Sequence, residues 1–271
     1  LALLPADADV MGMMNLRAAR QSDALDAALG DAGFGMVSGD GSDDFEAFMR
    51  LTGFDPEEDL DRVYVAGSHA PGGPHRAAFV AYGRFDRERI ERYLADQADS
   101  DVEATVLEGV PAYVATDDDG DAFGFALAND EMVLAGDLAT LTAMVGRLGR
   151  TRATADAGLQ TLLDRVMYPD GAWFVVRNLT EHLANVPEDA PSPALAARAA
   201  DAMVMSMDFR DGSVPVRAFL VTRTGTRTED MADVVRGAVS AAKMGLKDRP
   251  AALDVLDRTT VETEGDGVRV D

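Results

Sequence analysis

Two segments of the chain read alike and constrain everything around them: DVMGMMNLR at residues 9–17 and AWFVVRNLT at 172–180 are apolar strands that end in Asn-Leu, at Asn15-Leu16 and Asn178-Leu179. Their continuations also correspond. After the first comes a short helix over 22–29, a loop holding Gly30, Gly33, Gly35, Gly39 and Gly41, and a helix from Ser42 to Leu51 stopped by Gly53. After the second comes a short helix capped by Thr180 and another begun by Ser192-Pro193, an N-cap followed by proline at the first helical position.

Both arms return as strand pairs, 62–66 with 77–82 and 202–207 with 216–221, the latter across an Asp211-Gly212 turn. A helix comes next in each half. Asp86 caps one with an inward stripe of Ile90, Tyr93 and Leu94, and Thr226 with Glu229 forms a capping box for another with Met231, Val234, Val235 and Ala238 inward. Each half closes with a hairpin, 104–115 with 122–128 and 258–263 with 267–270. A strand at 131–135, a helix from Asp137 to Leu148 and another near 155–167 stand between the halves. The expectation is an α+β protein of two tandem similar halves, each an antiparallel sheet covered on one face by helices in the order β-α-α-β-β-α-β-β. The first half is 1–150, the connection 151–170 and the second half 171–271. A length of 271 residues, near where one hydrophobic core gives way to two, agrees with that division.

The alternation of Met203, Met205 and Met207 places them on one sheet face, read as core together with Met11, Met13 and Met14. The chain has no cysteine, which excludes disulfides, thiolate metal sites and a cysteine nucleophile. Against 48 Asp and Glu stand 25 Lys and Arg, a net charge of -23 that repels phosphate backbones and so excludes nucleic acid as a partner. No apolar run reaches the roughly 20 residues of a membrane span. The carboxylates include Asp117, Asp119 and Asp121 in VATDDDGDAFGF. With Gly120 at the sixth position of a calcium loop, the first and twelfth are Ala115 and Ala126, so both ends of an EF-hand cage are missing. Alternating flanks and an Asp-Gly pair predict a hairpin tip, with a calcium site of Asp117, Asp119 and Asp121 as the alternative.

Other chemistry-bearing residues read as structure. Ser68, His69 and His75 share the loop GSHAPGGPH, where neighbours in sequence do not form a nucleophile and base pair. His182 lacks the H-E-x-x-H partner of a zinc site, Asn178-Leu179-Thr180 matches a glycosylation sequon only by letters, and the loop 30–41 lacks a phosphate-binding glycine pattern. No residue is assigned a catalytic or cofactor-binding role.

The opening LPADADV and the segment TGFDPEEDLDRV (Thr52 to Val63), with GRFDRERIERYL further on, resemble a family of predicted exported proteins and lipoproteins of bacteria whose function is not assigned. That resemblance implies a removed N-terminal export segment, an envelope or periplasmic location and a possible lipid tether outside these residues. The expected function is non-catalytic binding of an unknown protein or small ligand, or a scaffold role, in the cell envelope. The alternatives are a hydrolase built from dispersed Asp and Glu, or a cation-dependent structural module.

At molar sodium chloride the Debye length is roughly 3 Å, so the mutual repulsion of these carboxylates is screened. The thermal midpoint therefore rises from low to molar salt. A comparable rise with millimolar calcium alone, abolished by Asp117→Asn or Asp119→Asn, would instead identify a specific cation site.

Overall fold

The first strand, β1 (Val10–Asn15), stops at Asn15, whose Oδ1 accepts the Ala18 N–H at 3.0 Å and caps α1 (Leu16–Arg20). The structure, a computed structural model, describes residues 1–22, 43–69, 75–96, 102–116, 120–149, 155–182, 199–209, 213–245 and 250–271. The fold is α+β, with antiparallel strands and several helices. It divides into two compact units, Leu1–Ala157 with Phe209–Val214, and Gly158–Asp208 with Pro215–Asp271.

In the first unit, β1 is succeeded by α1, α2 (Asp43–Thr52), α3 (Pro56–Asp59), β2 (Leu60–His69), β3 (His75–Gly83) and α4 (Arg87–Asp96). Four strands come next, β4 (Val102–Leu107), β5 (Val110–Thr116), β6 (Ala122–Asn129) and β7 (Met132–Asp137), then α5 (Leu138–Val145). Their spatial order is β1-β2-β3-β7-β6-β5-β4, every neighbour antiparallel. After α4 the chain thus crosses to the far edge and meanders back to pair β7 with β3.

The expected single strand over 104–115 is two strands. Glu108 and Gly109 both take positive φ, 49° and 86°, and close a two-residue hairpin between Leu107 and Val110. Such primed turns match the natural strand twist. Thr116 pairs with Ala122, so β5 and β6 flank the acidic stretch as antiparallel neighbours, and Gly120 takes a φ of 88°.

Helices in this unit lie on both faces, which corrects the one-face expectation. Ile90, Leu94 and Phe48 pack with Leu16, Leu60, Phe85 and Leu127 on the face that carries Met14, Val63, Ala81 and Val133. Facing the other way, Met13, Val80, Leu134, Ala126 and Ala112 form one register row, all buried. On that side Leu141 of α5 comes within 3.3 Å of where a Cβ on Gly124 would stand. The physical reason is visible at Ala126 and Leu127, adjacent residues of opposite facing that are both fully buried, each favouring its own layer.

The N-terminal segment is part of this unit. Leu4 and Ala8 are buried, Arg147 donates to the Leu3 and Leu4 carbonyls at 3.0 and 3.1 Å, and the Asp156 N–H to the Ala6 carbonyl at 3.0 Å.

The second unit holds α6 (Ala157–Leu163, from Gly158 onward), β8 (Ala172–Arg177), α7 (Leu179–His182), β9 (Ala200–Met207), β10 (Val216–Thr222), α8 (Thr228–Gly245), α9 (Pro250–Arg258), β11 (Val261–Glu264) and β12 (Gly267–Val270). The strand order is β8-β9-β10-β12-β11, again antiparallel. Asn178 does the work of Asn15 by a different device: its φ of 55° is left-handed, and its carbonyl accepts the Glu181 N–H at 2.8 Å.

Met231, Ala232, Val235 and Ala238 of α8 bury against Leu220 and Val268, with Met203 half-buried beside them. Val234, expected inward, is 43% exposed; Ala232 takes its place in the buried stripe. Alternation in β9 buries Ala200, Ala202, Val204 and Ser206 completely and leaves the methionine face half-buried. Residues after α6 lie on that other face. The Met167 N–H donates to Ser206 Oγ at 3.3 Å, and the Arg165 guanidinium sits 4.1 Å from the Phe219 ring centroid. Trp173, paired with Ser206, is buried there too. The short helix expected over 22–29, the loop 30–41, the helix from Ser192 and the Asp211-Gly212 turn lie outside the described residues.

Gly171 sets a close approach: a Cβ there would stand 1.9 Å from the Met207 carbonyl oxygen. Gly171→Ala is therefore expected to cost about 1–3 kcal/mol or more, because backbone has to move. Gly120→Ala meets open space, so it is expected to cost only the left-handed penalty of about 1–2 kcal/mol. Urea denaturation midpoints of the two variants test the ranking.

Candidate functional site

The segment Thr52 to Asp59 is a sequence of local devices. Thr52 Oγ1 donates to the Phe48 carbonyl at 2.6 Å and accepts the Phe54 N–H at 3.2 Å, closing α2. Gly53 continues that stop with a φ of 72°, its N–H on the Met49 carbonyl at 2.8 Å. Asp55 caps α3 by accepting the Glu57 N–H at 2.9 Å; Pro56 is the first helical residue, and Asp59 Oδ2 returns to the Asp55 N–H at 2.9 Å.

Gly83 to Glu91 repeats the logic. Asp86 Oδ1 accepts the Arg89 N–H at 3.1 Å at the start of α4, and Arg87 Nε meets Glu91 Oε1 at 2.7 Å. The two segments join through side chains and backbone. Phe54 stacks on Phe85 with centroids 5.6 Å apart, and Arg84 bonds the Glu58 carbonyl at 2.9 Å and Asp59 Oδ1 at 3.1 Å.

Thr52, Gly53, Phe54 and Asp59 of the first segment and Arg84 to Glu91 of the second line an open cleft of about 940 Å³ that also takes in Asp130 and Glu131. Its carboxylates are Asp59, Asp86, Glu88, Glu91, Asp130 and Glu131, and its cations Arg84, Arg87 and Arg89. Each arginine is held by a carboxylate of the same cleft: Arg84 by Asp59, Arg87 by Glu91, and Arg89 by Asp86 at 3.2 Å. Sequence reasoning named both segments through the resemblance but not their meeting. The signal that finds it is the repeated Phe-Asp, at Phe54-Asp55 and Phe85-Asp86, each opening a helix.

A second recess of about 640 Å³ lies beside it in the same unit, with Tyr64 and Tyr82 edge to face at 5.9 Å and with Arg17, Arg62 and Arg84. Burial pushes the Tyr82 hydroxyl above its ordinary value, and the neighbouring Tyr64 adds to it. Burial does the same for Tyr113, helped by the charge of Glu91 and opposed by Arg87.

The candidates raised by sequence are not gathered at either recess. Asp117 and Asp119 lie outside the described residues, and Asp121 is exposed next to Gly120. Ser68 Oγ accepts Arg76 Nε at 2.9 Å, while the backbones of His69 and His75 pair across the β2-β3 ladder. Among the described residues no group of three or more His, Asp or Glu side chains is disposed to hold a metal ion.

For both tyrosines the folded protein favours the neutral phenol more than the unfolded chain does. Their contribution to stability is complete below the ordinary tyrosine value of about 10 and is lost as pH rises through the higher folded values. Denaturation midpoints should fall above that pH, and less steeply in the Tyr82→Phe, Tyr113→Phe double variant.

No family model matches the sequence, and no curated protein does. Two solved structures, crystal forms I and III of TP0453, are similar to it at 10% identity, with TM-scores of 0.56 and 0.58. Each similarity covers 100% of this chain, and 90% and 91% of those chains respectively. At that identity the likeness shows the fold alone.

Proposed function

We propose that this chain is a non-catalytic binding module of the bacterial cell envelope, with the cleft between the Thr52–Asp59 and Arg84–Glu91 segments as its ligand surface. The carrying observation is how the cleft's charges are used. Its three arginines are each engaged by a nearby carboxylate, and Asp59 and Asp86 also hold helix starts, so these groups build the walls. Six carboxylates against three arginines leave the rim negative, which suits a cationic ligand.

The envelope location rests on the resemblance of LPADADV and TGFDPEEDLDRV to predicted exported proteins and lipoproteins. It is tested by fractionating cells that make the full-length gene product; recovery in the cytosol removes it.

A duplicated origin for the two halves belongs to the same reading. In its support, β1-β2-β3 and β8-β9-β10 have the same antiparallel order, and a helical segment (α4 in the first unit, α8 and α9 in the second) then carries the chain to the far edge before the last strand returns to the third. The first unit returns with four strands and the second with two.

Spermidine is a suitable probe of the cleft. At about a hundred times its Kd, a ligand specific for the folded state stabilises by about 2.7 kcal/mol, read as a rise in thermal midpoint. Asp130→Asn with Glu131→Gln is expected to reduce the gain, and succinate should give none. Turnover of chromogenic esters, phosphates or glycosides by the purified protein, lost in Asp86→Asn, would replace this reading with the hydrolase.

A further inference from the structure

Acidic and basic residues are not distributed alike. From residue 93 to residue 146 the chain carries 12 Asp and Glu and no Lys or Arg, although 25 basic residues occupy the rest. This segment supplies β4, β5, β6 and β7, four adjacent strands at one side of the first unit.

The last of them, β4, is a sheet edge. It pairs with β5 from Val102 opposite Ala115 to Leu107 opposite Val110, and it ends the strand order. Glu103, Ala104, Thr105 and Val106 are all exposed, on both faces of the strand, with Val106 at 65%. A regular strand of six residues without proline, lysine or bulge presents outward N–H and C=O groups in strand geometry, which natural proteins otherwise blunt.

The edge strand of the second unit shows such protection. On β11 the Val261 carbonyl accepts from Arg236 at 3.2 Å, and Glu262 and Glu264 are neutralised by Arg269. Nothing comparable guards the exposed middle of β4 among the described residues.

We propose that β4 is a docking edge for an extended basic segment of a partner protein, which adds as a strand beside it. Main-chain bonds to the outward groups of β4 supply affinity, and alternate side chains supply selection. Ala104 and Val106 share one face and favour apolar residues, whereas Glu103 on the other favours Lys or Arg. Charge complementarity selects this occupant over a second copy of a chain whose net charge is -23. No residue of β4 lines the cleft, and the peptide and spermidine assays read the two surfaces separately.

The test uses two labelled peptides, alternating Lys-Val and alternating Glu-Val, titrated against the whole chain by fluorescence anisotropy. The basic peptide is expected to bind about tenfold or more tightly than the acidic one, a difference of about 1.4 kcal/mol, and to weaken in molar salt. Because backbone N–H groups alternate in direction, Ala104→Pro and Thr105→Pro differ: one removes an outward donor, the other a donor to β5. The outward variant should keep its thermal midpoint and lose about tenfold or more of the binding, and Glu103→Lys should weaken the basic peptide without unfolding. If the midpoint-neutral proline variant binds as the parent does, or spermidine displaces the peptide in parent and variant alike, the attraction is charge alone and the proposal is overturned. It is equally overturned if sedimentation shows dimers, lost in that variant, and no peptide binding.

Discussion

A Cβ on Gly83 would stand 2.1 Å from the Asp59 carbonyl oxygen, so β3 can end against the start of β2 only if that position has no side chain. The contact brings two helix starts within reach of each other. The Arg84 N–H then bonds the Asp59 carbonyl at 2.9 Å, Phe85 reaches Phe54, and the Phe85 N–H bonds the Asp130 carbonyl at 2.8 Å. Cleft, aromatic floor and the approach of the β6-β7 turn are all consequences of that one backbone meeting. The apolar partners of Phe85, Leu60 and Ile90 among them, lie directly beneath. Shape at the surface is thereby tied to packing in the core, and a cleft fixed in this way is preformed rather than assembled on binding.

Much of this was legible in local chemistry. The Asp86 cap, the Gly53 stop, the Asp137 side chain that accepts the Thr140 N–H, and the strands around Tyr64, Phe79, Met205 and Phe219 come from cap rules and alternation. What escaped was decided by distant neighbours. Glu108-Gly109 is not a common hairpin pair, and the turn is taken because β5 has to run back between β4 and β6. Val234 carries an inward signature but sits on the solvent side because Met231 and Val235 set the rotation of α8. The helix α9, Pro250–Arg258, was not expected, and it ends where the strand over 258–263 was expected to begin. The cleft was the least legible part, since its two walls are separated by the whole β2-β3 hairpin.

The charge of the molecule has two regimes. Around the cleft and on β11, arginines sit among carboxylates in short-range pairs three to five residues or one strand apart, each contributing little by itself at an exposed surface. Along β4 to β7 the segment itself supplies no cation, and Arg87 of α4 answers Asp130 at its β6-β7 turn from outside it. Within the first unit, a cationic body therefore meets two negative surfaces, the rim of the cleft and the β4 edge.

The single tryptophan, Trp173, is buried in the second unit at 4% exposure, whereas four of the five tyrosines, Tyr64, Tyr82, Tyr93 and Tyr113, belong to the first. Nature has thus labelled the two halves with different chromophores. Indole emission watches one hydrophobic core and phenol absorbance chiefly the other, so a single melt read at two wavelengths distinguishes a chain that unfolds as one cooperative body from one whose units let go in turn.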